Sequence, residues 1–322
     1  MKGFRTGCTG LAVALCLLAL ACGRRQDSAP PPAGVPLFDL ARVDGAVALR
    51  ETAQFVALGP RVSGTAGAER AAHYLRGRLE AMGIPARPDE FEEYTPAGSH
   101  RFRNVIGRVE GARPGEILLI CHYDTKSGIE GFVGANDSGS GVGVLLALAS
   151  VLRTSRLDGP SLILGFLDGE ECRVDYGPHD GLHGSRRLAR ELTQSGEGKS
   201  VRAVILVDMV GDRDLTLTLP KNGSPELTEA VLRAFAAEGA RSKVSLWRRY
   251  VLDDHQPFLD AGLRAVDLID FEYGSQKGLN DYWHTPEDTL DKLSAESLGT
   301  VARIVARMAN ELAEQGPASP IR

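Results

Sequence analysis

Ile117-Leu118-Leu119-Ile120-Cys121-His122-Tyr123-Asp124 and Leu162-Ile163-Leu164-Gly165-Phe166-Leu167-Asp168-Gly169-Glu170-Glu171 decide the fold class. Each is an unbroken apolar run that closes in acids or histidine. A strand with one wet face alternates apolar and polar residues, whereas one covered on both faces reads as a continuous apolar run. Val204-Ile205-Leu206-Val207 before Asp208 follows the same rule, and Val266-Asp267-Leu268-Ile269 before Asp270 does so apart from Asp267. Helical spacing falls between and around them, at Gly139 to Arg153, Gly184 to Leu192, Pro225 to Glu238 and Ala295 to Glu314. Upstream, Asp39 to Leu58 and Ala66 to Met82 read as helices and Phe102 to Val109 as a strand. In the second helix Ala71, Tyr74, Leu75, Leu79 and Met82 share a face, and Gly83 is a stop signal. Buried strands separated by helices predict an α/β fold with a mostly parallel central sheet flanked by helices on both faces. Ligands of such sheets bind outside the C-terminal ends of the strands, which is where the acids and histidine fall.

The rest of the chain sets limits on this reading. At 322 residues, 43% hydrophobic and 25% charged, the composition is that of a globular protein. A net charge of −5 offers no electrostatic footprint for nucleic acid. At the N-terminus, Lys2 and Arg5 precede an apolar run from Leu11 to Ala21 and then Cys22. Residues 1–21 are expected to be an export signal, and 22–36 a Pro-rich tether. Lipid attachment at Cys22 and simple secretory cleavage both fit, and either one takes the chain to a bacterial cell envelope, periplasmic or lipid-anchored. One catalytic domain is expected over 37–316, then a short tail over 317–322. Cys8 and Cys16 belong to the leader. Cys121 and Cys172 remain, and whether they pair depends on a separation that sequence does not give.

The candidate chemistry lies in His122, Asp137, Glu170, Glu171, Asp208 and His284, with Asp124 and Asp253 in support. Histidines and carboxylates without cysteine suit zinc in an open, catalytic coordination. Neighbouring side chains at a strand end point in opposite directions, so one of Glu170 and Glu171 can bind a metal while the other stays free as a general base. Plainer readings apply as well. Gly139, Gly141 and Gly143 lack the phosphate-binding spacing and fit close helix packing. Asp253-Asp254-His255-Gln256-Pro257 has the form of a helix start, and Trp283 beside His284 is either core or a pocket wall.

Taken together, these segments resemble the exported zinc aminopeptidases and the related glutaminyl-peptide cyclotransferases. The similarity runs from about Gly59 onward through Arg61-Val62-Ser63-Gly64-Thr65, Phe102-Arg103-Asn104-Val105-Ile106, Cys121 to Lys126 and Gly134-Ala135-Asn136-Asp137. It continues through Phe166 to Glu171, Asp180 to Arg186, Asp253 to Phe258 and Trp283-His284-Thr285. On the cyclotransferase side, the resemblance implies one zinc held by Asp137, Glu171 and His284, and Glu170 as acid/base. It also implies a hydrogen-bonded relay through Asp208 and Asp253, with Trp283 and Tyr176 lining the substrate pocket. On the aminopeptidase side it implies a second zinc on His122 and Asp208, with Asp137 bridging. The expected substrate is a peptide or protein N-terminus, and the expected assembly a monomer. A non-catalytic binding ectodomain would be expected to lack a ligand, and none is missing.

Overall fold

The computed structural model describes residues 1–3, 36–152 and 156–315, so the leader, the tether, Cys22 and the tail from 316 onward lie outside the described residues. The strands are β1 (Ala86–Thr95), β2 (Gly98–Gly111), β3 (Glu116–His122), β4 (Arg156–Leu157), β5 (Ser161–Leu167), β6 (Val201–Asp208), β7 (Leu217–Leu219), β8 (Val244–Leu246) and β9 (Ala265–Ile269). The helices are α1 (Gly45–Val56), α2 (Ala66–Ala81), α3 (Gly139–Val151), α4 (His183–Ser195), α5 (Pro225–Ala237), α6 (Gln256–Asp260) and α7 (Ala295–Glu314). The main sheet runs β1-β2-β5-β3-β6-β9, with β4 beside β2, while β7 and β8 form a separate pair. β5, β3, β6 and β9 are mutually parallel, and β1 and β2 add an antiparallel edge.

The four apolar runs are these four parallel strands. Along β3, Ile117, Leu119 and Cys121 join the core that contains α1, α3 and α7, while Leu118 and Ile120 face the core under α4 and α6. Both faces are covered, as a continuous apolar run requires. The three α3 glycines are packing residues. A Cβ on Gly143 would lie 1.9 Å from Thr52 Oγ1, and one on Gly141 would lie 2.3 Å from the Val207 carbonyl oxygen.

Two details depart from the expectations, and the cysteine question is answered. The stretch from Asp39 to Leu58 is not one helix. A single turn over Leu40–Arg42 ends at Val43, and the Asp44 carboxylate then accepts from the Ala46 N–H to start α1. β2 extends beyond 102–109 because it pairs along its length with β1, whose Asp89, Glu90, Glu92 and Glu93 gave no apolar signal. Charge on an edge strand deters pairing with other chains; here Arg187 and Arg190 of α4 meet Asp89 and Glu93. Cys121 and Cys172 are both buried free thiols. No helix among the described residues is long and apolar enough to cross a membrane.

Candidate active site

The parallel strands deliver their last residues to one edge. His122 closes β3, Asp208 closes β6, and Glu170 and Glu171 follow β5. Asp137 comes from the loop that enters α3, His284 and Trp283 from the long β9–α7 connection, and Asp253 from the turn before α6. These segments meet.

Asp137 stands in the middle. Its Oδ1 is 3.2 Å from His122 Nε2 and its Oδ2 is 3.2 Å from His284 Nε2. His284 Nε2 is also 3.1 Å from Glu171 Oε1, and His122 Nε2 is 3.2 Å from Asp208 Oδ1. Two groups of donors result, Asp137–Glu171–His284 and His122–Asp137–Asp208, with the donor atoms of each within 4.8 Å of one another. Tetrahedral zinc with bonds of about 2.0–2.2 Å holds its ligand atoms roughly 3.3 Å apart, so the residues fit that metal. Electrostatics point the same way. Burial, then the charge of its neighbour Glu171, pushes the Glu170 carboxyl well above the usual range. Burial, then the charge of Asp208, does the same to Asp253. Burial alone would lower His284, yet the Asp137 and Glu171 carboxylates hold it up at about 9. Lys126 is the only lysine or arginine among the described residues paired with a member of these groups, its Nζ 3.5 Å from Glu171 Oε2. A divalent cation would balance this acidic excess.

A buried frame holds the groups in place. Asp124 accepts from the backbone N–H groups of Glu170 (3.2 Å) and Glu171 (3.3 Å), which fixes the peptide that presents both acids. Ser63 Oγ lies between Asp124 and Asp168, 3.0 and 2.7 Å away. On the other side, Asp288 accepts from the backbone N–H of Asn136 (2.8 Å) and Asp137 (3.1 Å) and from the Tyr273 hydroxyl (2.8 Å). Arg61, fully buried over the Phe55 ring, donates to the carbonyls of Tyr123, Val133 and Gly134 and so clamps the Asp137 loop to the end of β3. His284 (φ 55°) and Met209 (φ 48°) take left-handed backbone conformations beside these ligands. Non-glycine residues hold such angles at a cost of about 1–3 kcal/mol, and they concentrate at functional sites.

Of the expected site residues, Asp137, Glu170, Tyr176, Asp208, Asp253, Trp283 and His284 line one cavity of about 340 Å³, and His122 and Glu171 complete the two donor groups. Tyr176 donates to Glu170 Oε1 at 2.8 Å. The Asp253 run plays both parts considered for it, since α6 starts at Gln256 while Asp253 faces the cavity. No direct hydrogen bond joins Glu170, Asp208 and Asp253; Asp208 turns to His122, and Asp253 accepts from the Asp254 N–H. Sequence reasoning did not pick out Asp288, Tyr273, Arg249, or Trp247 and Phe271, which extend Trp283 and His284 into an aromatic row whose neighbouring rings lie 5.3, 5.8 and 4.0 Å apart. Asp288 follows His284 closely in sequence, which was its one available signal.

The model of peptidase family M28 matches residues 104–309. A glutaminyl-peptide cyclotransferase of Drosophila melanogaster is 28% identical over 281 residues, covering 77% of this chain and 76% of its own length. The crystal structure of an Acidobacteriales bacterium glutaminyl cyclase is 35% identical with a TM-score of 0.80, over 90% of this chain and 100% of that one. A Zn-dependent exopeptidase from Parabacteroides distasonis, 24% identical with a TM-score of 0.73 over 84% of this chain and 99% of its own, shares the fold. The family match spans every strand end and loop that carries a donor, and the chain therefore belongs to peptidase family M28, alongside its glutaminyl cyclases.

Proposed function

We propose that this protein is a zinc-dependent glutaminyl-peptide cyclotransferase, converting N-terminal glutamine of peptides to pyroglutamate with release of ammonia. The observation that carries the reading is the similarity to a solved glutaminyl cyclase over that chain's whole length. Asp137, Glu171 and His284 would hold one zinc ion. When bound, zinc supplies Lewis acidity toward the side-chain amide carbonyl.

The chain's own residues do the remaining work. Glu170, close to the donor group but outside it, accepts a proton from the α-amine as the amine nitrogen bonds to the amide carbon. The C–N bond to the side-chain nitrogen then breaks, and Glu170 returns the proton to the departing ammonia. Burial and the neighbouring Glu171 raise its proton affinity, which favours taking the proton from the amine. The Tyr176 hydroxyl fixes Glu170 Oε1. Trp283 walls the cavity beside the reacting end, and Asp208 and Asp253 line it with Glu170.

A second reading, hydrolysis of N-terminal residues with two zinc ions, is favoured by the His122–Asp137–Asp208 group. Mass spectrometry of peptides beginning with Gln, Leu or Ala, with metal analysis of the same preparation, separates the two. Loss of ammonia from the Gln peptide alone, with one zinc per chain, supports cyclisation. Release of free N-terminal residues with two zinc ions overturns it. In both readings Glu170→Gln keeps zinc and loses turnover by about 10²-fold or more; a variant that retains full activity refutes the role of Glu170. We further infer that the chain is exported through the leader at 1–21, acts as a monomer and is tethered by lipid on Cys22. Membrane fractionation of wild type and Cys22→Ser tests the tether.

A further inference from the structure

The cavity is acidic in its depth and cationic at its mouth. Arg249 lines it together with Trp247 and Tyr250; Lys221, over the Tyr250 ring, and Arg248, next in sequence to Arg249, are exposed. The Arg249 guanidinium lies over the Trp247 ring at 5.6 Å, and Lys221 Nζ over the Tyr250 ring at 5.4 Å. None of Lys221, Arg248 and Arg249 has a carboxylate partner among the described residues. Exposed Arg50, Arg70 and Lys277 are without one as well, but they do not line this cavity, whereas Arg249 does. What distinguishes Arg249 is its position, a cation on the wall of a cavity also lined by Asp137, Glu170, Asp208 and Asp253.

The segment that carries them is firmly placed. Trp247 N–H donates to the Leu219 carbonyl, Lys221 N–H to the Arg249 carbonyl, and the Asn222 side chain bonds both the N–H and the carbonyl of Val251. Arg249 is therefore presented on a fixed strip, stacked on an aromatic ring, with its guanidinium free to meet a ligand. Stacking of this kind leaves the guanidinium edge available for a carboxylate.

These two zones fit a peptide that enters amine first. The α-amine and glutamine side chain go to the acids and the donor group, and the following residues pass the rim. An extended chain advances about 3.5 Å per residue, so the second and third residues lie on the scale of the ring-to-ring steps of 5.8 and 5.3 Å that lead from Trp283 out to Trp247. Resting on the cyclotransferase reading, we propose that Arg249, supported by Lys221 and Arg248, selects substrates with an acidic side chain at the second or third residue.

The test compares Gln-Glu-Glu-Ala with Gln-Lys-Lys-Ala at low ionic strength, using zinc-replete protein and kcat/KM from ammonia release. An exposed ion pair contributes up to about 1 kcal/mol, or about fivefold, so a ratio of about two to five in favour of the acidic peptide is expected, carried mainly by KM. It should shrink toward one in 1 M NaCl. Arg249→Glu should invert the preference, and because both peptides are measured on the same variant, general damage cancels in the ratio. Equal kcat/KM for the two peptides in wild type, or an unchanged ratio in Arg249→Glu, overturns the inference while leaving cyclisation intact. If neither peptide is cyclised, the function proposed above fails instead. Binding of the same pair by fluorescence anisotropy then decides the rim on its own, equal Kd values overturning it and tighter binding of the acidic peptide upholding it.

Discussion

Asp288 gives the most direct test of how the fold builds the metal centre. Its two oxygens accept three hydrogen bonds, from Asn136 N–H, Asp137 N–H and the Tyr273 hydroxyl, and the residue is fully buried. Asp288→Asn keeps the shape but replaces one acceptor with an NH₂ donor. The carboxamide oxygen can serve the pair now on Oδ1, Asn136 N–H and Tyr273 hydroxyl, so the NH₂ group is left facing the Asp137 N–H, now 3.1 Å from Oδ2. Two donors then meet in a site closed to water, which costs about 1–3 kcal/mol. For a domain of this size that is roughly 2–6 °C in melting temperature. The peptide displaced is the one that aims the Asp137 carboxylate, whose two oxygens are shared between His122 and His284. Removing a residue that orients a metal ligand costs about 10–100-fold in metal affinity. The assay is zinc competition against a chromophoric chelator, with melting of the metal-free and zinc-loaded forms. Tyr273→Phe is the control, since it removes one hydrogen bond to Asp288 and leaves both backbone N–H groups satisfied; it should lose about 1 kcal/mol of stability and little zinc affinity. Zinc affinity unchanged within twofold in Asp288→Asn would refute the reasoning. So would an equal loss in Tyr273→Phe, which would mean the effect is general softening of the core.

Three further tests address other parts of the molecule. Gly143→Ala places a methyl group 1.9 Å from Thr52 Oγ1 and 2.6 Å from the Ala48 carbonyl oxygen on the packed α1 helix; overpacking of this kind costs about 1–3 kcal/mol, and a melting temperature equal to wild type would show that α1 yields freely. His255 is held down at about 4 by burial, and Asp267, 3.7 Å from its Nδ1, does not offset this because burial and then the charge of Asp253 favour the protonated carboxylic acid. The native state thus keeps His255 neutral while the unfolded chain takes up a proton below about 6.5, so its contribution falls by about 3 kcal/mol as pH drops from 6.5 toward 4. Urea midpoints across that window should drop less steeply in His255→Gln than in wild type, and parallel curves would contradict the assignment. Chelation of zinc should lower the melting temperature and zinc should restore it, because the acids at the strand ends lose their counter-charge; a melt indifferent to chelator would argue against a metal in the native site.

Much of this architecture was legible because burial on two faces leaves a plain trace. Four apolar runs, one of them interrupted by Asp267, became four adjacent parallel strands, and the polar residues closing three of them became His122, Glu170, Glu171 and Asp208 at one edge. Asp270, closing the fourth, turned elsewhere: its carboxylate caps the Thr216 and Glu272 N–H groups. An acid at a strand end is therefore a candidate, and only its partners decide. β1 was silent for the opposite reason, since its side chains meet water and α4 rather than a core.

The residues whose roles the sequence did not disclose share a different property. Asp124, Asp288 and Arg61 act on backbone atoms, and a hydrogen bond to a peptide N–H or carbonyl leaves no pattern in side-chain types. Yet they decide whether the donors fall roughly 3.2 Å apart. Asp124 orients Glu170 and Glu171 through their own amides, and Asp288 and Arg61 hold the Asp137 loop from opposite sides. The side chains that would touch metal are thus announced by their chemistry, while those that set its geometry are visible only once the chain is folded. The same division places specificity at Arg249, which stands in a loop with no apolar period and gains meaning only from Trp247 beneath it and the acidic cavity beside it.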